Sequence, residues 1–194
     1  MNKLNIMLVG VGGQGTLLAS RVLGTVALKM GYDVKVSEVH GMSQRGGSVV
    51  TYVKMGEKIY SPLIEKGEAD VILAFEKLEA LRWMEYLNEG GRMIVNEQKI
   101  NPMPVIIGKA KYPESIIPKL KDKLGNVSSI NALKIARESG SIKAVNIVLI
   151  GLMAASSEIG RDVWLDAMKE VIPQKLLEVN IKAFEAGYHY PGHE

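Results

Sequence analysis

At 194 residues the chain is long enough for one domain with a full core, and 47% hydrophobic against 23% charged residues excludes a disordered chain. A net charge of +3 is too small to argue for a nucleic-acid partner. With no cysteine, the chain cannot ligate iron–sulfur clusters, offer a thiol nucleophile or form disulfides, and three histidines argue against a zinc site.

Leu4 to Val9 is a continuous apolar run and reads as a central strand covered on both faces. Gly10-Val11-Gly12-Gly13-Gln14-Gly15 follows, and Thr16 to Met30 has helical spacing, with Leu18, Val22, Val26 and Met30 in one row. Strand, glycine-rich turn and helix together are the context in which G-x-G-x-x-G carries meaning. Gly10 permits the turn, Gly12 a close backbone approach, and Gly15 close packing of the helix on the strand. The N–H groups at the helix start then converge on one spot that suits a phosphate. A tight turn without a ligand is the competing reading. A P-loop is excluded, because Thr16 stands where lysine is required.

Asp33 to Glu38 reads as the second strand of a βαβ unit. Glu38 falls where a dinucleotide-binding domain keeps the acid for its ribose hydroxyls; a solvated strand-end carboxylate is the plainer alternative. The pattern then breaks at Val39 to Gly47. This loop sets His40, Gln44 and Arg45 among glycines, and Arg45 beside Gly46 and Gly47 makes a candidate anion clamp. An interface loop packed on another subunit fits equally well. His40 has no paired carboxylate in the sequence, so a hydrogen-bonding role is favoured over a general base.

Ser48 to Met55 returns to strand, and Lys58 to Ser61 is expected to pair back as a short arm after Gly56-Glu57. Ala69 to Phe75 is a buried strand, Glu76 to Leu87 an amphipathic helix stopped by Gly90-Gly91, and Arg92 to Asn96 a further strand. Val105 to Ile107 reads as an edge strand, Pro113 to Leu124 as a weak helix interrupted by Pro118, and Val127 to Ile130 as a short strand. Asn131 to Ser139 is a helix, and from Ala144 the chain reads as helical. The longest apolar stretch, Ile147 to Ala155 extended by Ala144 and Val145 and broken by Asn146, is too short for a bilayer and reads as a buried helix, which runs to about Ile159. A second starts at an N-capping Asp162 and runs to Ile172; a third runs from Pro173 to Ala186, with Gly187 after it. Asn146 and Asn180 read as buried hydrogen-bond partners, and Glu76 as an acid in a first helical turn. The expectation is a single three-layer, Rossmann-like α/β domain over residues 1–187, its sheet mostly parallel with an antiparallel hairpin and its C-terminal part helical. Residues 188–194 read as a flexible tail. With Met1-Asn2-Lys3 leading straight into the first strand, a cytoplasmic location is expected.

GVGGQG, then SEVHGMSQRGGSV, then the stretches Asn146 to Gly151 and Asn180 to Gly187, resemble the gamma-type subunit of the 2-oxoacid:ferredoxin oxidoreductases over nearly the whole chain. The resemblance implies part of a coenzyme A- and thiamine diphosphate-dependent oxidative decarboxylation of aryl 2-oxoacids, such as indolepyruvate, to acyl-CoA. No Gly-Asp-Gly thiamine motif and no cysteine is present. Thiamine diphosphate, magnesium and the clusters are therefore expected on a larger partner subunit, and ferredoxin is reached through that partner. This chain is expected to contact coenzyme A at most, to be inactive alone and to self-associate when isolated. Neither nucleic acid nor membrane is expected as a partner. The candidate binding residues are Gly10, Gly12, Gly13, Gln14, Gly15, Glu38, His40, Gln44, Arg45, Gly46 and Gly47; no catalytic or metal-binding residue is assigned. Met153, Trp164, Met168 and Phe184 on the late helices, with the HGMSQRGG loop, are the candidate subunit contacts. A stand-alone NAD(P)-dependent oxidoreductase and a purely structural subunit remain the alternatives.

Overall fold

The computed structural model describes residues 3–40 and 46–191. Among these residues six strands form one sheet: β1 (Lys3–Val11), β2 (Asp33–His40), β3 (Ser48–Gly56), β4 (Ala69–Ala74), β5 (Leu87–Asn96) and β6 (Val127–Ile130), in the spatial order β2-β3-β1-β4-β5-β6. The helices are α1 (Thr16–Lys29), α2 (Lys77–Trp83), α3 (Met103–Ile106), α4 (Ile116–Leu124), α5 (Ala132–Glu138), α6 (Val145–Ala155), α7 (Arg161–Val171) and α8 (Gln174–Tyr188).

Alternation along β1 divides the core in two. Ile6 and Leu8 face α1 and α5 to α8, while Met7 and Val9 face α2 and α4. The result is the expected three-layer α/β domain. β4, β5 and β6 run parallel to β1; β3 runs antiparallel to both its neighbours, from Lys3↔Gly56 to Val11↔Ser48 on one side and from Asp33↔Gly56 to His40↔Val49 on the other. Two expectations change here. β3 lies between β1 and β2, so these two do not pair. The antiparallel partners of β3 are β1 and β2, and Lys58 to Ser61 forms no strand.

Other local readings are corrected by context. Val105 to Ile107 belongs to the short helix α3 and its cap, not to an edge strand. Pro118 sits in the first turn of α4, where a missing N–H costs no helical bond. Gly90 and Gly91 lie inside β5, because the chain leaves α2 through a single 3-10 turn and re-enters the sheet at Leu87. Gly160, not Asp162, caps α7. Gly187 does not end α8: the helix continues to Tyr188, and both Tyr188 and Tyr190 pack on the core, which shortens the expected tail.

α6 is buried from Val145 to Ala154, as a run that is apolar but for Asn146 requires. It crosses α8 at a pair of glycines. A Cβ on Gly151 would lie 2.2 Å from the Phe184 carbonyl oxygen, and one on Gly187 2.1 Å from that of Val148. Met153, Trp164, Met168 and Phe184 are all consumed by this interior, so they are not the subunit contacts that sequence suggested. Among the described residues no helix is long and apolar enough to cross a membrane.

Candidate functional site

The glycine-rich turn joins β1 to α1 at the carboxyl edge of the parallel strands, where ligands bind in open α/β sheets. Gln14 turns back into the crevice between β1 and β4. Its Oε1 accepts from the Val11 N–H at 2.8 Å, and its Nε2 donates to the Phe75 carbonyl at 2.9 Å and to Gln98 Oε1 at 3.2 Å. This explains Gly10: a Cβ there would stand 2.9 Å from Gln14 Oε1 and 3.0 Å from Phe75 Cβ. Asn96, fully buried at the end of β5, donates to the same Phe75 carbonyl at 3.0 Å, and its Oδ1 accepts from the Ala132 N–H at the start of α5 at 3.2 Å. Amide side chains thus stitch together the ends of β1, β4 and β5.

Gly15 caps α1 in the left-handed region at φ 86°, with no side-chain cap. Its carbonyl accepts from Asn146 Nδ2 at 3.1 Å, which confirms Asn146 as a buried hydrogen-bond partner; Asn180 is another, donating to the Leu176 carbonyl at 2.8 Å. A cleft of about 460 Å³ opens in front of the α1 start, lined by Gly13, Gln14, Gly15, Gln98, Lys143 and Asn146 among others. Positive helix end and lysine share one opening, an arrangement that attracts an anion.

The second motif meets the first at its base. The Gly12 N–H donates to the Gly47 carbonyl at 2.9 Å. Ser48, the first residue of β3, donates from Oγ at 2.5 Å to Glu79, a buried carboxylate on α2 that also receives Arg82 and the Trp83 indole N–H. Gly46, at φ 80°, precedes this clamp. Gln44 and Arg45 lie outside the described residues; the backbone of His40 closes β2 opposite Val49.

Glu38 is exposed on the edge strand and stands two strand spacings, roughly 9.5 Å, from β1. In a dinucleotide domain the corresponding acid ends the strand beside β1. With β3 interposed, that geometry is not made. Among the described residues no group of three or more His, Cys, Asp or Glu could hold a metal ion.

Glu76 is an N-cap rather than a first-turn acid. Its carboxylate, 1% exposed, accepts from the N–H groups of Leu78, Glu79 and Ile100 and from the Tyr112 hydroxyl. Burial, reinforced by the Glu76 carboxylate, holds the Tyr112 hydroxyl proton well above the usual tyrosine range. Sequence reading missed Glu79, Asn96, Gln98 and Lys143. Only Asn96 and Gln98 carried a signal, as two amides at and just past the end of a buried strand.

A family model described as pyruvate ferredoxin/flavodoxin oxidoreductase matches residues 5–190. The chain is 45% identical over 196 residues to a Thermococcus kodakarensis protein named indolepyruvate oxidoreductase subunit IorB, covering 96% of this chain and 95% of the relative. Its fold matches the gamma subunit of a keto/oxoacid ferredoxin oxidoreductase from Geobacter sulfurreducens, with a TM-score of 0.74, 23% identity, and 97% and 95% of the two chains covered. It also matches a Magnetococcus marinus 2-oxoglutarate:ferredoxin oxidoreductase, solved with 2-oxoglutarate, coenzyme A and succinyl-CoA bound, at a TM-score of 0.73 and 18% identity, covering 96% of this chain but 30% of that one. This chain belongs to the pyruvate ferredoxin/flavodoxin oxidoreductase family.

Proposed function

We propose that the chain is the subunit of a 2-oxoacid:ferredoxin oxidoreductase that carries neither cluster nor thiamine diphosphate, and that the assembled enzyme converts aryl 2-oxoacids, indolepyruvate foremost, to acyl-CoA. The observation that carries this reading is the 45% identity, end to end, with an indolepyruvate oxidoreductase subunit. The interposed β3 and the Gln14-filled crevice speak against the NAD(P) alternative. Thiamine diphosphate, magnesium and clusters belong on a larger subunit, because this sequence has no cysteine and no thiamine motif. The 30% share in the Magnetococcus marinus chain supports such a partner: there the same fold is one part of a longer polypeptide. The test is reconstitution. Indolepyruvate-dependent reduction of an artificial electron acceptor, with coenzyme A, magnesium and thiamine diphosphate, is expected to be absent from this chain alone and to appear when the large subunit is added. Turnover by this chain alone, or a large subunit indifferent to it, overturns the reading.

Within that enzyme, the cleft before α1 is the place in this chain suited to a phosphate of coenzyme A, held by the α1 start and the Lys143 ammonium. Lys143→Ala is expected to raise the KM for coenzyme A about tenfold with kcat little changed, the lower range for a charge-assisted contact at an exposed side chain. One observation favours the purely structural alternative for the turn itself: the Gly12 N–H and both polar atoms of Gln14 are used internally. An unchanged KM would leave the cleft with that role.

A further inference from the structure

Between Ile100 and Tyr112 the chain leaves the carboxyl edge of the sheet and returns, and both ends are tied to one point. The Ile100 N–H donates to Glu76 Oε1 at 3.0 Å and the Tyr112 hydroxyl to the same oxygen at 2.5 Å. Lys99 Nζ stands 4.7 Å from the centre of the Tyr112 ring, a second tie across the neck. Inside the excursion the backbone satisfies itself. The Ile106 N–H donates to the Pro102 carbonyl, that of Ile107 to Met103 and that of Ala110 to Pro104, and Gly108 at φ 75° ends the helix. The segment is therefore built before anything docks on it. Yet it buries little: Met103, Ile106 and Ile107 are 65%, 64% and 54% exposed. Lys99, Lys109 and Lys111 flank these side chains, with no acidic residue between Lys99 and Lys111.

Three large apolar side chains on a preformed, self-bonded segment have no role in the domain's own core. We propose that α3 and its flanks form the docking element for the larger subunit, which receives Met103, Ile106 and Ile107 in an apolar pocket with an acidic rim. The occupant follows from the charge: a segment whose only charges from Lys99 to Lys111 are lysines suits an acidic partner surface and opposes a second copy of itself, which would bring like charges together. A rigid element loses little order on binding, so its apolar tips can act as anchors. This inference rests on the subunit reading above.

The experiment measures the affinity of purified chain for the purified large subunit by surface plasmon resonance or sedimentation. Ile106→Asp is expected to weaken binding about a hundredfold, the effect of losing a central anchor. Lys109→Glu combined with Lys111→Glu is expected to slow association about tenfold at low salt and less at high salt. Tyr60→Asp, 83% exposed and near the opposite edge, beyond Gly56 where β3 ends, serves as the control and is expected to bind like the parent. Circular dichroism melting of each isolated variant confirms that the fold is kept. Failure of the parent chain to bind the large subunit refutes the subunit reading itself. Binding by the parent and by Ile106→Asp with equal affinity refutes this docking element alone.

Discussion

Replacing Gly187 by alanine is expected to lower the thermal unfolding midpoint of the isolated chain by about 5–10 °C. The cause is contact of backbone with backbone. The new methyl would sit 2.1 Å from the Val148 carbonyl oxygen, 2.9 Å from its carbon and 3.2 Å from the Leu152 nitrogen. None of these atoms can rotate away, so α6 and α8 must separate by about an ångström to restore contact distances. Overpacking of this kind costs about 1–3 kcal/mol, occasionally more, and the gain from replacing a helical glycine recovers up to about 1 kcal/mol. A clash of backbone with backbone belongs at the upper end, about 3.5 kcal/mol, so the net loss is about 2.5 kcal/mol, which in a domain of this size corresponds to the stated shift at about 2–4 °C per kcal/mol. Gly24 in the middle of α1 is the internal comparison, because a Cβ there meets nothing within 4 Å. Gly24→Ala is expected to stabilise by about 0.5–1 kcal/mol. Circular dichroism melts of the two variants beside the parent settle the matter; a Gly187→Ala protein that melts with the parent would mean that the helices do not cross this closely.

Glu76→Ala is expected to cost about 4 kcal/mol, the largest effect of any single side chain considered for this protein. The carboxylate is buried and takes three backbone N–H groups and one phenol, at 2.6, 3.0, 3.0 and 2.5 Å. Its removal uncaps α2 and strands donors in a dry site, each at about 1–3 kcal/mol before relaxation. Tyr112→Phe removes one donor and keeps the ring, so about 1 kcal/mol is expected. Urea titration of both variants gives the two values, and near-equal losses would show that the carboxylate does not act as a shared anchor. The same pair makes a pH prediction. The Tyr112 proton is held above the ordinary tyrosine range by burial first and by Glu76 second. Its contribution is then complete below the unfolded pKa of about 10 and falls as the pH rises beyond it, since the unfolded chain releases the proton first.

Much of this was readable from residues alone because it is local. The apolar run of β1, the glycine turn, the stripe on α1 and the dense hydrophobicity of α6 each state their element within a dozen residues. Asn146 announced itself as a polar residue inside an apolar helix, and it bonds Gly15. The order of the strands was not readable. Whether β3 lies outside β2 or between β2 and β1 depends on pairing across the sheet, and the alternation of Ser48 to Gly56 fits either place. Val105-Ile106-Ile107 is β-branched and reads as strand, but a four-residue helix that starts after Pro102, contains Pro104 and stops before Gly108 has too few positions to display a period. The site suffered most. Gln14 looked like one more residue of a loop that receives something, whereas it fills the crevice itself. Glu79 looked like any helical acid until β3 delivered Ser48 to it.

The position of β3 also bears on how this fold can diversify. A crossover between parallel strands must span the sheet, and changing its length disturbs the helix it carries. The connection from β2 to β3 instead joins adjacent antiparallel strands whose registers are held independently, by His40 opposite Val49 and by Ser48 on Glu79. Extra residues inserted there would shift no strand, and the entropic penalty of doubling such a loop is only about 0.6 kcal/mol. Residues can therefore be added at this point of the sequence while the hydrophobic architecture of the six strands stays as it is.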